Sequence, residues 1–256
     1  YKIVTPVSHL FFNKKNAKKI IQNSDYLEIR YKTLNLEFNN EKFFHCDEDI
    51  TLPWSKNFKD KFEKILKIKK NLKYVSFQST RCCSEEKLLN NFFILSGKKF
   101  NKKQMLEEAR KNKSWLTQKF GNKLKFGLEN NNYYPSKAYD IVTNADFISE
   151  VVLDNKLFFL FDLAHAKITA SNQNINYSKY LDKLPMEMMI QIHICRPKIN
   201  ANKISCDTHY LPNKNTFEEI KKMLKKYKSL KFFTIEYYKN TEKLIRSIKL
   251  LKKIIN

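Results

Sequence analysis

The sequence predicts a single (β/α)8 TIM barrel occupying residues 1–256 as one domain. Three observations carry this. The chain has the usual length of one such barrel, and 42% hydrophobic residues supply one large core. Short apolar, β-branched or aromatic runs alternate along it with amphipathic stretches. The polar residues best suited to chemistry fall at the carboxyl ends of those runs, where a parallel barrel gathers its loops into one mouth.

Taken in order, the predicted strands are Lys2–Val7, Tyr26–Tyr31, Lys42–Cys46, Lys73–Phe77, Leu124–Leu128, Leu157–Phe161, Met188–Ile194 and Lys231–Ile235. Between and after them the spacing predicts helices near Lys14–Asn23, Asn57–Lys69, Lys103–Phe120, Tyr139–Leu153, Tyr177–Leu184, Thr216–Lys226 and Thr241–Ile255. The third crossover begins irregularly around Asp47–Trp54. The stretch Arg81–Lys102 reads as a long insertion with a short helix. No internal repeat, low-complexity tract or linker divides the chain.

Composition removes several function classes. Glycine occurs only at Gly97, Gly121 and Gly127, so neither a phosphate-cradling P-loop nor a G-x-G-x-x-G dinucleotide turn can be built. Cys46, Cys82, Cys83, Cys195 and Cys206 are odd in number and irregularly spaced, which predicts reduced thiols and a cytoplasmic setting, with no role for Cys82 and Cys83. Leu157–Phe161, closed by Asp162, falls far short of the roughly 20 apolar residues of a membrane span. Nothing near Tyr1 combines the basic, apolar and small-residue parts of an export signal, so a soluble, unexported protein is expected. The formal net charge of +23 would attract nucleic acid, an acidic peptide or an anionic surface. Its lysines are spread over the whole chain, however. Around Lys61–Lys70, Glu219–Lys231 and Lys243–Lys253 they alternate with apolar residues as on solvated helix faces.

His45 closes the third run, Glu129 the fifth, Asp162 with His165 the sixth, His193 the seventh and Glu236 the eighth, while Asp207 and His209 follow in the loop after the seventh. One histidine or carboxylate at a strand end is usually a structural hydrogen-bonder. Eight crowded at one mouth would be costly to bury without cations, and divalent metals are the usual counterions for such a set. Imidazole and carboxylate ligands without a thiolate suit iron, manganese or zinc. His9, after the first run, either binds substrate or stabilises its loop.

Read in order, Gly127-Leu128-Glu129-Asn130 with Tyr134-Pro135, Phe161-Asp162-Leu163-Ala164-His165-Ala166 with Ala170-Ser171-Asn172, Gln191-Ile192-His193-Ile194, Asp207-Thr208-His209 with Pro212, and Thr234-Ile235-Glu236-Tyr237 resemble the multinuclear non-haem iron-dependent oxidative enzymes. The resemblance runs from Phe43 to Tyr238. It implies that Glu129 bridges two metals, that Asp162, His193 and Glu236 complete one catalytic site with it, that His165, Asp207 and His209 hold another, and that His45 anchors a third with Glu129. It also implies two or three irons, with molecular oxygen as oxidant. The implied substrate is a side chain, often cysteine, of a ribosomally made precursor peptide, commonly presented by a partner protein.

Endonuclease IV and the wider xylose-isomerase-like barrels share this fold and a similar ligand order. A zinc- or manganese-dependent phosphodiesterase acting on nucleic acid is therefore the alternative, and the +23 charge favours it. The residues around the ligands stand closer to the oxidative family. A non-catalytic barrel would not need complete ligand sets at its open mouth. Two positions depart from the family pattern: Gln78 ends the fourth run where a histidine is often found, and His165 stands where many oxidative members carry asparagine.

Overall fold

A computed structural model of the chain, describing residues 1–121, 123–200 and 203–256, contains the expected closed barrel. In chain order the strands are β1 (Lys2–Pro6), β2 (Tyr26–Ile29), β3 (Glu41–Asp49), β4 (Tyr74–Gln78), β5 (Leu88–Leu89), β6 (Phe92–Phe93), β7 (Lys125–Glu129), β8 (Phe158–Asp162), β9 (Met189–Ile194), β10 (Arg196–Lys198), β11 (Cys206–Tyr210) and β12 (Phe232–Ile235). Eight of them close the barrel in the order β1-β12-β9-β8-β7-β4-β3-β2, with parallel ladders throughout. The pairs β5-β6 and β10-β11 form separate antiparallel ribbons.

The helices are α1 (Lys14–Asn23), α2 (Lys56–Ile68), α3 (Lys102–Phe120), α4 (Ala145–Asp154), α5 (Leu163–Asn172), α6 (Tyr177–Leu181), α7 (Lys214–Lys226) and α8 (Thr241–Ile255). Their starts explain part of the asparagine content: Asn13, Asn101, Asn144, Asn176, Asn213 and Asn240 each accept a backbone N–H as N-cap. Among the described residues, no helix is long and apolar enough to cross a membrane, and all five cysteines are free.

Several expectations are corrected. The helix expected from Tyr139 begins at Ala145, because Asn144 caps it and the preceding residues form turns. The helix from Tyr177 ends at Leu181. The insertion carries the β5-β6 hairpin where a short helix was expected; its turn residues Asn90 and Asn91 sit at φ 51° and 67°, the left-handed pair that a two-residue hairpin loop demands. Helix α5 was not anticipated. His45 lies inside β3, which continues with a register shift to Asp49. Asp207 and His209 lie in the segment after β9 as expected, and there they belong to β11 of the ribbon.

Inside the barrel, residues two apart on a strand share a face, so each strand stacks side chains in layers up its axis. The lower layer is aromatic. Phe43 meets Phe232, Tyr74 and Tyr26 at ring-centroid distances of 4.8, 5.5 and 6.0 Å. Gly127 belongs to the same packing, since a Cβ there would lie 2.0 Å from the Tyr74 hydroxyl oxygen. Two or four residues further along, the same faces carry Glu28, His45, Ser76, Gln78, Glu129, Asp162, Thr234 and Glu236. An aromatic floor thus sits beneath a polar layer at the mouth.

Candidate metal centre

The barrel brings all eight residues expected from the sequence into one connected cluster and adds a ninth group, Glu28. Its first set surrounds His193 Nδ1, which stands 2.9 Å from Glu129 Oε1, 3.4 Å from Glu236 Oε1 and 4.0 Å from Asp162 Oδ2. Asp162 divides its oxygens between structure and site. Oδ1 caps α5 by accepting the His165 backbone N–H at 2.7 Å, while Oδ2 is buried without a hydrogen-bond partner. His193 Nδ1 likewise has no aligned partner despite its close oxygens. Orphaned polar atoms converging in a dry site are costly, and a cation would satisfy them together.

Three of the imidazoles are oriented through their outer nitrogens, His193 by Glu28 and the other two by groups outside the cluster. His193 Nε2 faces Glu28 Oε2 at 3.2 Å, His45 Nδ1 faces Ser76 Oγ at 2.8 Å, and His165 Nδ1 faces the Asn130 carbonyl oxygen at 2.8 Å. In each ring, placing the N–H on that outer nitrogen leaves the other nitrogen's lone pair directed at the carboxylates, the arrangement found where histidines ligate metals. Glu28 is fully buried and also accepts Gln191 Nε2 at 2.7 Å and Arg30 Nη2 at 2.7 Å. Its sequence signal was one carboxylate inside the apolar run Tyr26-Leu27-Glu28-Ile29. Removing its charge in Glu28→Gln is expected to weaken metal binding about 10–100-fold, as loss of an outer partner of a ligating histidine does. A chelator-competition titration giving an unchanged affinity would remove Glu28 from this role.

Two neighbouring sets share carboxylates with the first. His209 Nε2 lies 3.1 Å from Asp207 Oδ2 and 3.4 Å from Glu236 Oε2, and His165 Nε2 lies 3.7 Å from Asp207 Oδ2. Glu236 thereby spans the first and second sets. His209 adopts φ 45°, a conformation unusual for a residue with a side chain and maintained by its surroundings at functional sites. On the other side, His45 Nε2 lies 3.3 Å from Glu129 Oε2, so Glu129 spans the first and third sets. Gln78 points into this third set, with Nε2 2.9 Å from His45 Nε2 and 3.4 Å from Glu129 Oε2. A neutral amide is a poor transition-metal ligand beside imidazole, so the third set is expected to release metal first, and Gln78→His to raise its occupancy. A dialysis series of both proteins checks this; identical stepwise losses would rule out a ligand position for residue 78.

Charge explains why the chain tolerates the arrangement. Five carboxylates, from Glu28, Glu129, Asp162, Asp207 and Glu236, face one guanidinium, that of Arg30, whose Nη2 also lies 2.5 Å from Glu236 Oε1. Without metal, the His165, His193 and His209 imidazoles supply the missing positive charge. Burial opposes charge on His193, but Glu236 and Glu28 overcome it and hold the ring well above its ordinary value; Asp162 and Asp207 do the same for His165. Burial likewise works against ionised Glu28, yet His193 and Arg30 bring it down to about 2. Asp162 is the exception, since burial lifts it to about 7 against the pull of His165.

The cluster is closed on one side and open on the other. Glu28, His45, Asp162 and His193 are fully buried, whereas the side chains of Asp207, His165 and His209 are 12%, 15% and 36% exposed. His9 is exposed in the turn after β1 and makes no contact with the cluster among its hydrogen bonds and ion pairs.

Over residues 102–254 the chain matches the family described as RiPP precursor modification enzyme MbnB/TglH/ChrH. Two Caulobacter vibrioides relatives, each called UPF0276 protein, are 27% identical over 85 residues; the match covers 33% of this chain and 30% of theirs. Among solved structures, a D-tagatose 3-epimerase-like protein superposes with TM-score 0.64 at 18% identity, covering 100% of this chain and 97% of that one. Endonuclease IV from Thermus thermophilus gives TM-score 0.59 at 11% identity, covering 100% and 99%. The 3-keto-D-glucoside 4-epimerase YcjR from E. coli gives 0.60 at 12%, covering 98% and 99%. At these identities the likenesses show the fold alone, a TIM barrel.

Proposed function

The chain belongs to the RiPP precursor modification enzymes of the MbnB/TglH/ChrH family, and on that premise we propose that it uses two or three irons and molecular oxygen to oxidise a cysteine side chain of a ribosomally made precursor peptide. The observation that carries the metal part of this reading is the orientation of His45, His165 and His193. Each has its outer nitrogen engaged and its inner nitrogen turned toward carboxylates that include the orphaned Asp162 Oδ2.

In this reading Glu129, Asp162, His193 and Glu236 hold the central ion and form the catalytic set. His165, Asp207 and His209 hold a second ion, and His45 with Glu129 holds a third. Bound there, iron would supply redox equivalents toward oxygen and a Lewis acid toward the substrate. The chain's own residues do the rest. Glu129 and Glu236 each turn their two oxygens to different sets of donors and would hold neighbouring cations together. Arg30 and the Tyr238 hydroxyl, 3.0 Å from Glu236 Oε1, fix that carboxylate in place. The buried side excludes water, and the peptide approaches past His165, Asp207 and His209. Zinc and manganese suit the same donors and are the alternatives to iron. The five free thiols favour a cytoplasmic setting, and a presenting partner protein would deliver the peptide.

Anaerobically purified protein is expected to contain at least two metal ions per chain, with iron predominant. Given oxygen and a cysteine-containing precursor peptide encoded beside it, the protein should change that peptide's mass at the cysteine. Less than one equivalent of any transition metal would sink the metal reading. Colourless zinc protein that cleaves abasic DNA would replace the proposal with the phosphodiesterase.

A further inference from the structure

The ligand set drawn from the sequence contains no thiolate, yet the folded chain places a thiol inside the cluster. Cys195 follows β9 two residues after His193 and is 1% exposed. Its Sγ and one oxygen from each of Asp162 and Glu236 all lie within 4.8 Å of one another. The same Sγ is 3.6 Å from Asp207 Oδ1. A thiolate and a carboxylate oxygen on one tetrahedral ion, at about 2.3 and 2.0 Å from it, stand about 3.5 Å apart.

A second observation points to a ligand between these groups. Asp162, fully buried, has its Oδ2 unpartnered, and the site it faces is walled by carboxylates. Buried cysteines that merely fill space behave as small hydrophobes among apolar neighbours; this one stands among Asp162, Asp207 and Glu236.

We propose that Cys195 is a thiolate ligand of the second ion, the one assigned to His165, Asp207 and His209, on the side of that ion facing Asp162 and Glu236. The inference rests on reading the cluster as a metal centre. On binding, the ion takes the place of the thiol proton, which leaves to solvent as the metal–sulfur bond forms. In the metal-free chain the thiol remains protonated and donates to Asp207. A thiolate biases the site toward iron or zinc and away from manganese or magnesium.

Cobalt(II) distinguishes the possibilities by absorption and needs no turnover. Chelator-treated wild type reloaded with cobalt under anaerobic conditions should show visible ligand-field bands and a near-ultraviolet thiolate-to-cobalt charge-transfer band. Cys195→Ser should lose the charge-transfer band completely while keeping ligand-field absorption from the first set; Cys206→Ser should keep both. Wild type showing ligand-field bands without charge transfer would overturn the role of Cys195 and leave the metal reading intact. Failure of wild type to take up cobalt would overturn both. The wild-type spectrum alone can refute the proposal, and Cys195→Ala gives the same comparison should Cys195→Ser misfold. A charge-transfer band surviving in either variant would assign the thiolate to another cysteine and refute the proposal.

Discussion

Glu129→Gln is expected to abolish peptide modification and lower the protein's metal content while leaving the barrel folded. Glu129 Oε1 faces His193 Nδ1 at 2.9 Å and Oε2 faces His45 Nε2 at 3.3 Å, so its one charge serves two sets of donors. A glutamine of the same shape would leave two cations repelling each other with no anion between them. The loss of affinity should therefore exceed the roughly 10–100-fold that follows removal of a partner outside the coordination sphere. Folding should survive because Glu129 ends β7. The strand's hold on the barrel comes from its backbone pairing with β4 and β8, and its apolar faces are unchanged. Metal analysis, circular dichroism and the peptide mass assay on one preparation test the three parts together. Full activity would mean that Glu129 bridges nothing.

The barrel was legible because its strands and outer helices obey periodicities that survive in one dimension. All eight predicted runs are barrel strands, and the helices that cover them differ chiefly at their ends. Helix α5 escaped because Leu163, Ala164, Ala166, Ile168, Thr169 and Ala170 are buried on several sides, which erases the polar face that marks an amphipathic helix. Its start is hidden too, since the N-cap Asp162 is also the last residue of β8 and reads in sequence as a metal ligand.

The candidate site was legible where a ligand-type residue closes or follows a predicted apolar run and obscure where one lies within such a run. Glu28 sits between the buried Leu27 and Ile29, and only closure of the barrel turns it toward His193. Cys195 goes unmarked among the thiols, because nothing linear distinguishes it from Cys82 or Cys83. Its carboxylate surroundings come from β8, β11 and the residue after β12. Gln78 shows the reverse case. Its position at the end of β4 placed it correctly near His45, although the amide itself predicts weak binding.

Removing metal should make stability fall with rising pH, and that dependence follows from the metal-free cluster. Burial lifts Asp162 from an ordinary 3.8 to about 7, against the lowering effect of His165. For His193, burial favours the neutral ring, but Glu236 and Glu28 prevail and hold it well above 6.5. Both groups bind a proton more tightly in the folded chain than in the unfolded one. The stability they contribute is present at acid pH and is lost as pH rises, for Asp162 from 3.8 through about 7 and for His193 from 6.5 through its raised folded value. Glu129 and Glu236 run the other way. Burial disfavours their charge, but the neighbouring histidines hold them well below 4.5, so their contribution is lost only in acid and is constant between about pH 6 and 8. Chelator-treated protein should accordingly melt several degrees lower at pH 8 than at pH 6, given about 2–4 °C per kcal/mol for a chain of this order of size. Metal-loaded protein should show the opposite trend or none, because deprotonated ligands bind cations more tightly and the ions replace the lost protons. Melting curves of both forms across this interval measure the divergence. Parallel curves, with the metal-dependent gain the same at both ends of the interval, would mean that the ions do not occupy the place those protons hold around Asp162 and His193.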